Sequence, residues 1–312
     1  IGINPIEADT RDPADALRKA DLACYTAKDQ GGNNIYIYRE QDSELIRREE
    51  ETFWASRIRD AIDNDRVKLY AQPIISLKDD KRRREHIEIL ARLLDEDGLL
   101  IAPGAFIPAA ERYNLMHLID RKVVKETFRF IHKLGNSNLD AGMCYAINLS
   151  GNTLGDDQFI DHVSELIKRY HIDTKRICFE ITETAAIADF DYALRLIQDL
   201  RELGCKVALD DFGTGMSSFS YLRSLDVDFI KIDGEFVHSM LEDKMNQAIV
   251  DAVNTIGHIA GIQTIAEFVE NDAILERLRG IGVDYAQGFG VARPAPLEWL
   301  AGEEKTALRP IA

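Results

Sequence analysis

Short β-branched apolar runs, separated by amphipathic stretches, repeat along most of this chain. Runs at 67–77, 86–93, 143–150, 177–183, 206–212, 228–233, 263–268 and 284–290 read as buried strands. The stretches 157–169, 190–203, 242–259 and 271–280 carry apolar residues at three- and four-residue steps and read as helices. Strands alternating with helices argue a parallel sheet built from βα units. Eight strands in about 250 residues fit an α/β fold of the TIM-like (β/α)8 type, with chemistry at the C-terminal strand ends. An open doubly wound sheet fits less well, because no glycine-rich phosphate loop follows the first strand.

The first 65 residues follow a different pattern. Residues 14–30 read as an amphipathic helix with Leu17, Ala20, Asp21, Cys24, Tyr25 and Lys28 at helical spacing. Asp12-Pro13 opens it, Gly31 to Asn34 closes it, and short strands are expected at Ile1–Ile3 and Ile35–Tyr38. A strand, a helix and a strand cannot bury a core alone, so residues 1–40 read as the tail of another domain. Residues 42–64 form a charged helical pattern with a thin stripe of Leu45, Ile46, Phe53, Ile58 and Ile62. That stripe suits either an ordinary surface helix or a connector that relays a signal. The organisation expected is a fragment at 1–40, a connecting helix at 41–65 and one barrel domain at 66–312.

Composition narrows the function classes. The chain has 312 residues, 46% hydrophobic and 29% charged. No run approaches the roughly 18 apolar residues of a membrane span, so the expectation is a cytoplasmic fragment. An upstream segment, including a membrane anchor or sensory domain, would be invisible here. A net charge of −16 opposes a grip on polymeric nucleic acid, which needs a basic stripe. The basic run from Lys81 to Arg84 reads as a solvated turn. Cys24, Cys144, Cys178 and Cys205 show no paired spacing, and three lie in or beside apolar runs. They read as small buried hydrophobes in a reducing compartment.

The chemistry lies where the apolar runs end. Glu88, Asn148, Glu180, Asp210, Asp211, Lys231 and Glu267 each fall within or just past a run that otherwise wants burial. Carboxylates gathered at one rim repel and raise each other's pKa, so a divalent cation is their natural neutraliser. Carboxylates with one amide favour Mg²⁺ or Mn²⁺ over zinc. No histidine ends a strand, and adjacent Asp210 and Asp211 suit a two-metal centre with one bridging carboxylate. The loop Asp211 to Ser218, with Gly213 and Gly215, reads as a mobile cover for substrate. Glu88 and Arg92 share a strand face, which leaves the arginine free to meet a phosphate.

These residues carry a resemblance over roughly 45–300. Glu88-Ile89-Leu90, Tyr70 to Ile74, Pro103 to Pro108 with Glu111, Asn148-Leu149-Ser150 and Glu180 to Glu183 are similar to motifs of the EAL-domain family. Asp210 to Ser218, Lys231-Ile232-Asp233, Ala266 to Glu270, Gln287-Gly288-Phe289 and Arg293-Pro294 extend the likeness. Phe268 stands where that family carries glycine, a change expected to tighten the floor of the site. The resemblance implies a TIM-like barrel with one antiparallel strand. It further implies metal-dependent hydrolysis of cyclic di-GMP to linear 5′-pGpG in bacterial second-messenger signalling.

What the resemblance implies for single residues follows the same motifs. Glu88, Asn148, Glu180 and Asp210 would hold one of two Mg²⁺ or Mn²⁺ ions, with Asp210 bridging to a second held by Asp211 and Glu267. Lys231 would orient the attacking water, Glu267 would double as general base, and Glu183 would anchor the 211–218 loop. Gln72, Leu90, Arg92, Asp233 and Gln287 would contact ligand or its water shell. Some domains of this kind are catalytically silent cyclic di-GMP receptors, a loss normally marked by missing metal ligands; here each one is present. The family also suggests a homodimer. Residues 20–28 with the Gly-Gly-Asn that follows resemble the C-terminal end of GGDEF domains, though Gly32 replaces the usual arginine and the signature loop is absent.

Overall fold

A computed structural model describes residues 1–6, 16–17, 19–20, 23, 35–38, 57–78, 84–135, 142–213 and 221–300. Two compact units divide the chain: Ile1–Asn64 with Ala102–Leu115, and Asp65–Ile101 with Met116–Ala312. In the first unit, Gly2–Ile3 and Tyr36–Ile37 pair in parallel, and residues 16, 17, 19, 20 and 23 are helical. Of the 42–64 helix only residues 57–64 are described, helical through Asp63. Most of the 14–30 helix, with Cys24, lies outside the described residues. A helix at Pro103–Arg112 also belongs to this unit, its proline at the start, where no N–H donor is needed.

The second unit is a closed barrel, and a short link decides how it begins. Val67–Ser76 (β1) and Arg84–Leu94 (β2) are joined by too few residues for a helical crossover. They therefore pair antiparallel, with Gln72 opposite Glu88. Six further strands follow: Cys144–Leu149 (β3), Ile177–Thr182 (β4), Lys206–Phe212 (β5), Phe229–Ile232 (β6), Gln263–Ala266 (β7) and Tyr285–Ala286 (β8). From β2 to β8 every neighbouring pair is parallel. β8 then meets β1 antiparallel and closes the ring. The eight strands fall where the apolar runs predict them, although β8 is far shorter than its 284–290 run.

The interior is filled by matching small residues to large ones. Cys144, Ala146, Cys178 and Ala208 line one side; Phe229, Ile265, Tyr285 and Ile74 complete the layer. His86 sits edge-on to Phe229 and Tyr285, ring centroids 4.9 and 4.8 Å away. Burial lowers its pKa to about 4, so the imidazole is neutral and serves as an aromatic core group. Cys144, Cys178 and Cys205 are buried free thiols. Outside lie the helices Met116–Leu134 (α1), Phe159–Tyr170 (α2), Phe190–Glu202 (α3), Lys244–Ile259 (α4) and Asp272–Ile281 (α5). α1 buries Ile119, Val123, Val124, Phe128 and Ile131 at helical spacing. α5 opens on an Asn271 cap and stops at Gly282 in left-handed backbone. Among the described residues no helix is long and apolar enough to cross a membrane.

One buried acid ties this scaffold to the strand ends. Asp120 on α1 is 3% exposed and accepts from Ser150 N (2.9 Å), Ser150 Oγ (2.7 Å) and Thr153 Oγ1 (2.6 Å). The clamp fixes the chain as it leaves β3, just past Asn148. Burial raises the Asp120 pKa to about 6. Replacing it with alanine leaves three donors without their acceptor, a loss of about 2–3 kcal/mol. Thermal denaturation should show a large fall in Tm for Asp120→Ala and a smaller one for Asp120→Asn, which keeps a carbonyl acceptor. Equal melting temperatures for Asp120→Ala and the parent chain would contradict this role.

Candidate active site

Strand register brings the polar residues together. Gln72 faces Glu88, Asn148 faces Glu180, Thr182 faces Asp210, and Lys231 faces Ile265. Alternation along a strand would send Asp210 and Asp211 to opposite sides of the sheet. Between Leu209–Ile230 and Phe212–Ile232 the register of β5 against β6 shifts, so two aspartates stand opposite the single Lys231. Asp211 takes a φ of 53°, a left-handed conformation that costs about 1 kcal/mol. The result is convergence: ligand oxygens of Asp210, Asp211 and Glu267 lie within 4.8 Å of one another.

Lys231 stands at the centre of this rim, with no exposed surface. Its Nζ lies 2.8 Å from Glu180 Oε2, 2.9 Å from Glu267 Oε1, 3.0 Å from Asp210 Oδ1 and 3.9 Å from Glu88 Oε1. Burial alone would lower the ammonium's pKa, but Asp210, Glu180, Glu267 and Glu88 together hold it well above its ordinary value. One cation does not balance five carboxylates. Burial, with Glu88 and Asp210 adding to it against Lys231, pushes Glu180 up to about 8. Burial and neighbouring Asp210 push Asp211 up to about 6, and burial raises Glu267 as well.

The donor chemistry fits hard divalent cations. Every candidate ligand is a carboxylate or amide oxygen, and the uncompensated charge calls for more positive charge than Lys231 brings. Glu180 Oε1 is buried with no hydrogen-bond partner, an acceptor that a cation would satisfy. No described histidine joins this rim. His86 is in the barrel interior, and His117, His132, His162, His171, His238 and His258 lie in helices or at their ends.

Other expected residues fall into two groups. Gln72, Gln287, Glu88 and Asn148 form one network on the β1–β2–β3 side. Asn148 Nδ2 donates to Glu88 Oε1 at 2.6 Å, while Gln287 Nε2 donates to Glu88 Oε2 and, at 3.1 Å, to Gln72 Oε1. Gln72 in turn donates to Ala292 O at 2.9 Å. Leu90 and Arg92 lie further along β2, half-buried; Arg92 donates to Ala91 O at 2.8 Å and its guanidinium lies 5.4 Å from the Tyr70 ring centre. Asp233 caps the short helix Gly234–His238, accepting from Glu235 N at 2.7 Å.

Glu183 is no exposed strand-end acid. It is 2% exposed, begins the helix Glu183–Ala188 directly after β4, and accepts from Gly213 N at 2.8 Å and from Tyr221 Oη. Both described ends of the loop after Asp211 are therefore pinned to one carboxylate. Thr214 and Ser217, its other expected partners, lie outside the described residues. Tyr221 escapes sequence reading, since a tyrosine in a polar loop gives no periodic signal. Gly213 is required here: its φ is 108°, and a Cβ would come 3.0 Å from the Phe236 ring.

Phe268 corrects an expectation. Its φ is 51°, which explains why glycine suits the position, and its side chain is 63% exposed. It lies on the rim, against Gly234, and does not tighten the floor.

The fold and site define a (β/α)8 barrel with an oxygen-ligand rim around one buried lysine. The model of the EAL domain matches residues 55–294, and the chain belongs to that family. It is 41% identical over 292 residues to the cyclic di-GMP phosphodiesterase PdeB of Shewanella oneidensis, covering 94% of this chain and 34% of that protein. It is 34% identical over 242 residues to the cyclic di-GMP phosphodiesterase PdeF of Escherichia coli, covering 78% and 32%. The structure of the PaMucR phosphodiesterase in its c-di-GMP complex superimposes with a TM-score of 0.74 at 30% identity, covering 80% of this chain and 99% of that one. The chain spans about a third of the length of the curated relatives it matches.

Because Glu183 holds Gly213, two residues beyond Asp211, its loss should loosen the second aspartate. Glu183→Ala is expected to keep the far-ultraviolet circular dichroism of the parent but to bind Mn²⁺ about 10-fold more weakly in calorimetric titration. Tyr221→Phe should give a smaller loss. Parent-like Mn²⁺ affinity in Glu183→Ala would remove the anchor role.

Proposed function

We propose that this chain is a metal-dependent phosphodiesterase that hydrolyses cyclic di-GMP to linear 5′-pGpG. The observation that carries this reading is the complete oxygen-ligand rim around Lys231, in a family whose relatives bear that activity in their names. A silent receptor is the weaker reading, because each ligand position is filled by the residue type hydrolysis needs.

Glu88, Asn148, Glu180 and Asp210 would hold one divalent cation, and Asp210, Asp211 and Glu267 a second, Mg²⁺ or Mn²⁺. Such ions supply Lewis-acid activation of water and neutralise phosphodiester charge. The chain's own groups do the rest. Glu267, which converges with Asp210 and Asp211 at the rim, would take the proton of the attacking water in its ionised form. Lys231, whose Nζ lies 2.9 Å from Glu267 Oε1, would orient that water and stabilise the negative charge that builds on phosphorus oxygens. A P–O bond forms to water, the P–O3′ bond breaks, and the 3′-oxygen leaves, taking up a proton from solvent water. Gln72 and Gln287 hold Glu88 in place, and Arg92, Leu90 and Asp233 border the ligand.

The proposal extends to the organisation of the chain. Residues 1–40 are the end of a GGDEF-like domain, 41–65 a connecting helix and 66–312 the phosphodiesterase barrel. The parallel pairing of Gly2–Ile3 with Tyr36–Ile37, around helical residues, supports an α/β fragment at the start.

Incubation with cyclic di-GMP and Mn²⁺, read by chromatography, should yield the linear dinucleotide; binding without product would instead favour the receptor. Lys231→Ala should lower kcat by about 10²-fold or more, with a much smaller change in KM. A Lys231→Ala variant that loses cyclic di-GMP binding yet keeps its turnover at saturation would contradict the role given to this lysine.

A further inference from the structure

Most strands of the barrel reach the next through a helix that covers the outer wall, but β1 turns directly into β2. Its wall is covered instead by α1 and by the short turn Leu297–Leu300, which follows Ala295 and Pro296 where they pair with Ala71 and Tyr70. A cavity of about 330 Å³ remains there, with Val67, Leu69, Phe130, Leu134 and Leu297 in its lining. Val67, Leu69 and Leu297 are buried, so this part of the lining is fixed by the core. No residue of the strand-end rim takes part, and every lining residue belongs to the second compact unit.

The same lining carries four cations, Lys68, Lys122, Arg129 and Lys133, against Asp65, Glu126 and Glu298, on a chain whose net charge is −16. Lys122 pairs with Asp65 and, at 3.6 Å, with Glu126, which also takes Arg129. Lys68 and Lys133 have no acidic partner among the described residues. A single exposed lysine is ordinarily just solvated. Two uncommitted lysines on an apolar cavity are a different matter, because together they offer a ligand both a dry wall and an unspent charge.

An apolar lining with a few polar groups, at this volume, is the build of a small-molecule site. The volume is roughly ten times the share of one water molecule in the liquid, enough for one or two fused rings. Inorganic phosphate would leave the apolar wall unused, and a neutral hydrocarbon would leave the lysines unused. We propose that this cavity binds a small organic anion, an apolar ring body bearing one anionic group, with Lys68 and Lys133 supplying the positive charge. It is a second binding site, apart from the carboxylate rim, and it stands whether or not the chain hydrolyses cyclic di-GMP.

Fluorescence titration of the folded chain with anilinonaphthalene sulfonate tests the site, since this probe is a fused-ring body with one anionic group. One probe per chain should bind with enhanced emission, and more weakly as salt is added. Joint replacement Lys68→Gln and Lys133→Gln should weaken binding about 10-fold. Asp65→Asn, which removes one of the two acidic partners of Lys122, should tighten it about 3-fold. Lys68, Lys133 and Asp65 are exposed, so these variants should melt close to the parent. N-phenylnaphthylamine, the same body without the sulfonate, should respond to neither change. No emission from the sulfonate with the parent chain, or equal affinity in the parent and the double lysine variant, overturns the proposal. So does a parallel loss of both probes, which would give the lysines a part in the shape of the wall and none in recognising charge.

Discussion

A buried ammonium surrounded by carboxylates is the interaction on which this site depends. Lys231 has no exposed surface and lies within 3.0 Å of Glu180, Asp210 and Glu267. Removing a charge from water costs several kcal/mol, which is recovered only when partners are close and well oriented. Here the partners outnumber the lysine. The rim therefore holds more carboxylates than Lys231 can pair, and burial, with neighbouring carboxylates adding to it, raises the pKa values of Glu180, Asp211 and Glu267. A site built only for stability would have balanced its charges.

The barrel supplies the geometry for this concentration of charge. Parallel strands deliver one polar residue each to the same end, and register aligns Asn148 with Glu180 and Thr182 with Asp210. The bulge at Asp210 and Asp211 adds a second carboxylate from one strand. Behind these residues, supporting contacts hold the chain near Asn148, at Glu88 and after Asp211. Asp120 secures the exit of β3, Gln287 and Gln72 hold Glu88, and Glu183 pins the backbone after Asp211. These contacts are made through neutral donors, so they orient the ligands without diminishing the charge available for cations.

Much of this was legible in the sequence. Apolar runs located all eight strands, and acids at their ends located the rim, because burial and period leave a direct imprint on residue type. Even the antiparallel first strand is implicit in the short link from Ser76 to Arg84, although counting strands does not reveal it. What escaped was set by backbone geometry. The bulge at Asp210–Asp211 depends on how β5 meets β6, which no local pattern encodes. Phe268 was read as part of the floor because its left-handed φ, which turns the ring to the rim, is invisible in sequence. Tyr221 reaches Glu183 only through the fold. Asp233, expected near ligand, also has a local task as the cap of the following helix.

The rim's excess charge makes it a candidate binding site for cations. Glu180 and Asp211 have pKa values raised to about 8 and about 6, so the folded protein holds protons that the unfolded chain releases near its ordinary carboxylate values. Metal-free protein should lose this part of its stability as pH rises through that window. Cations compete with those protons, so they bind more tightly as pH rises and stabilise the folded state more. Groups elsewhere, such as His86 and Asp120, cancel when the same pH is compared with and without metal. The most direct measurement is the Mn²⁺-dependent increase in Tm, taken by calorimetry at about pH 5 and about pH 8.5. A clearly larger increase is expected at the higher pH. An increase that is absent, or equal at both, would contradict it.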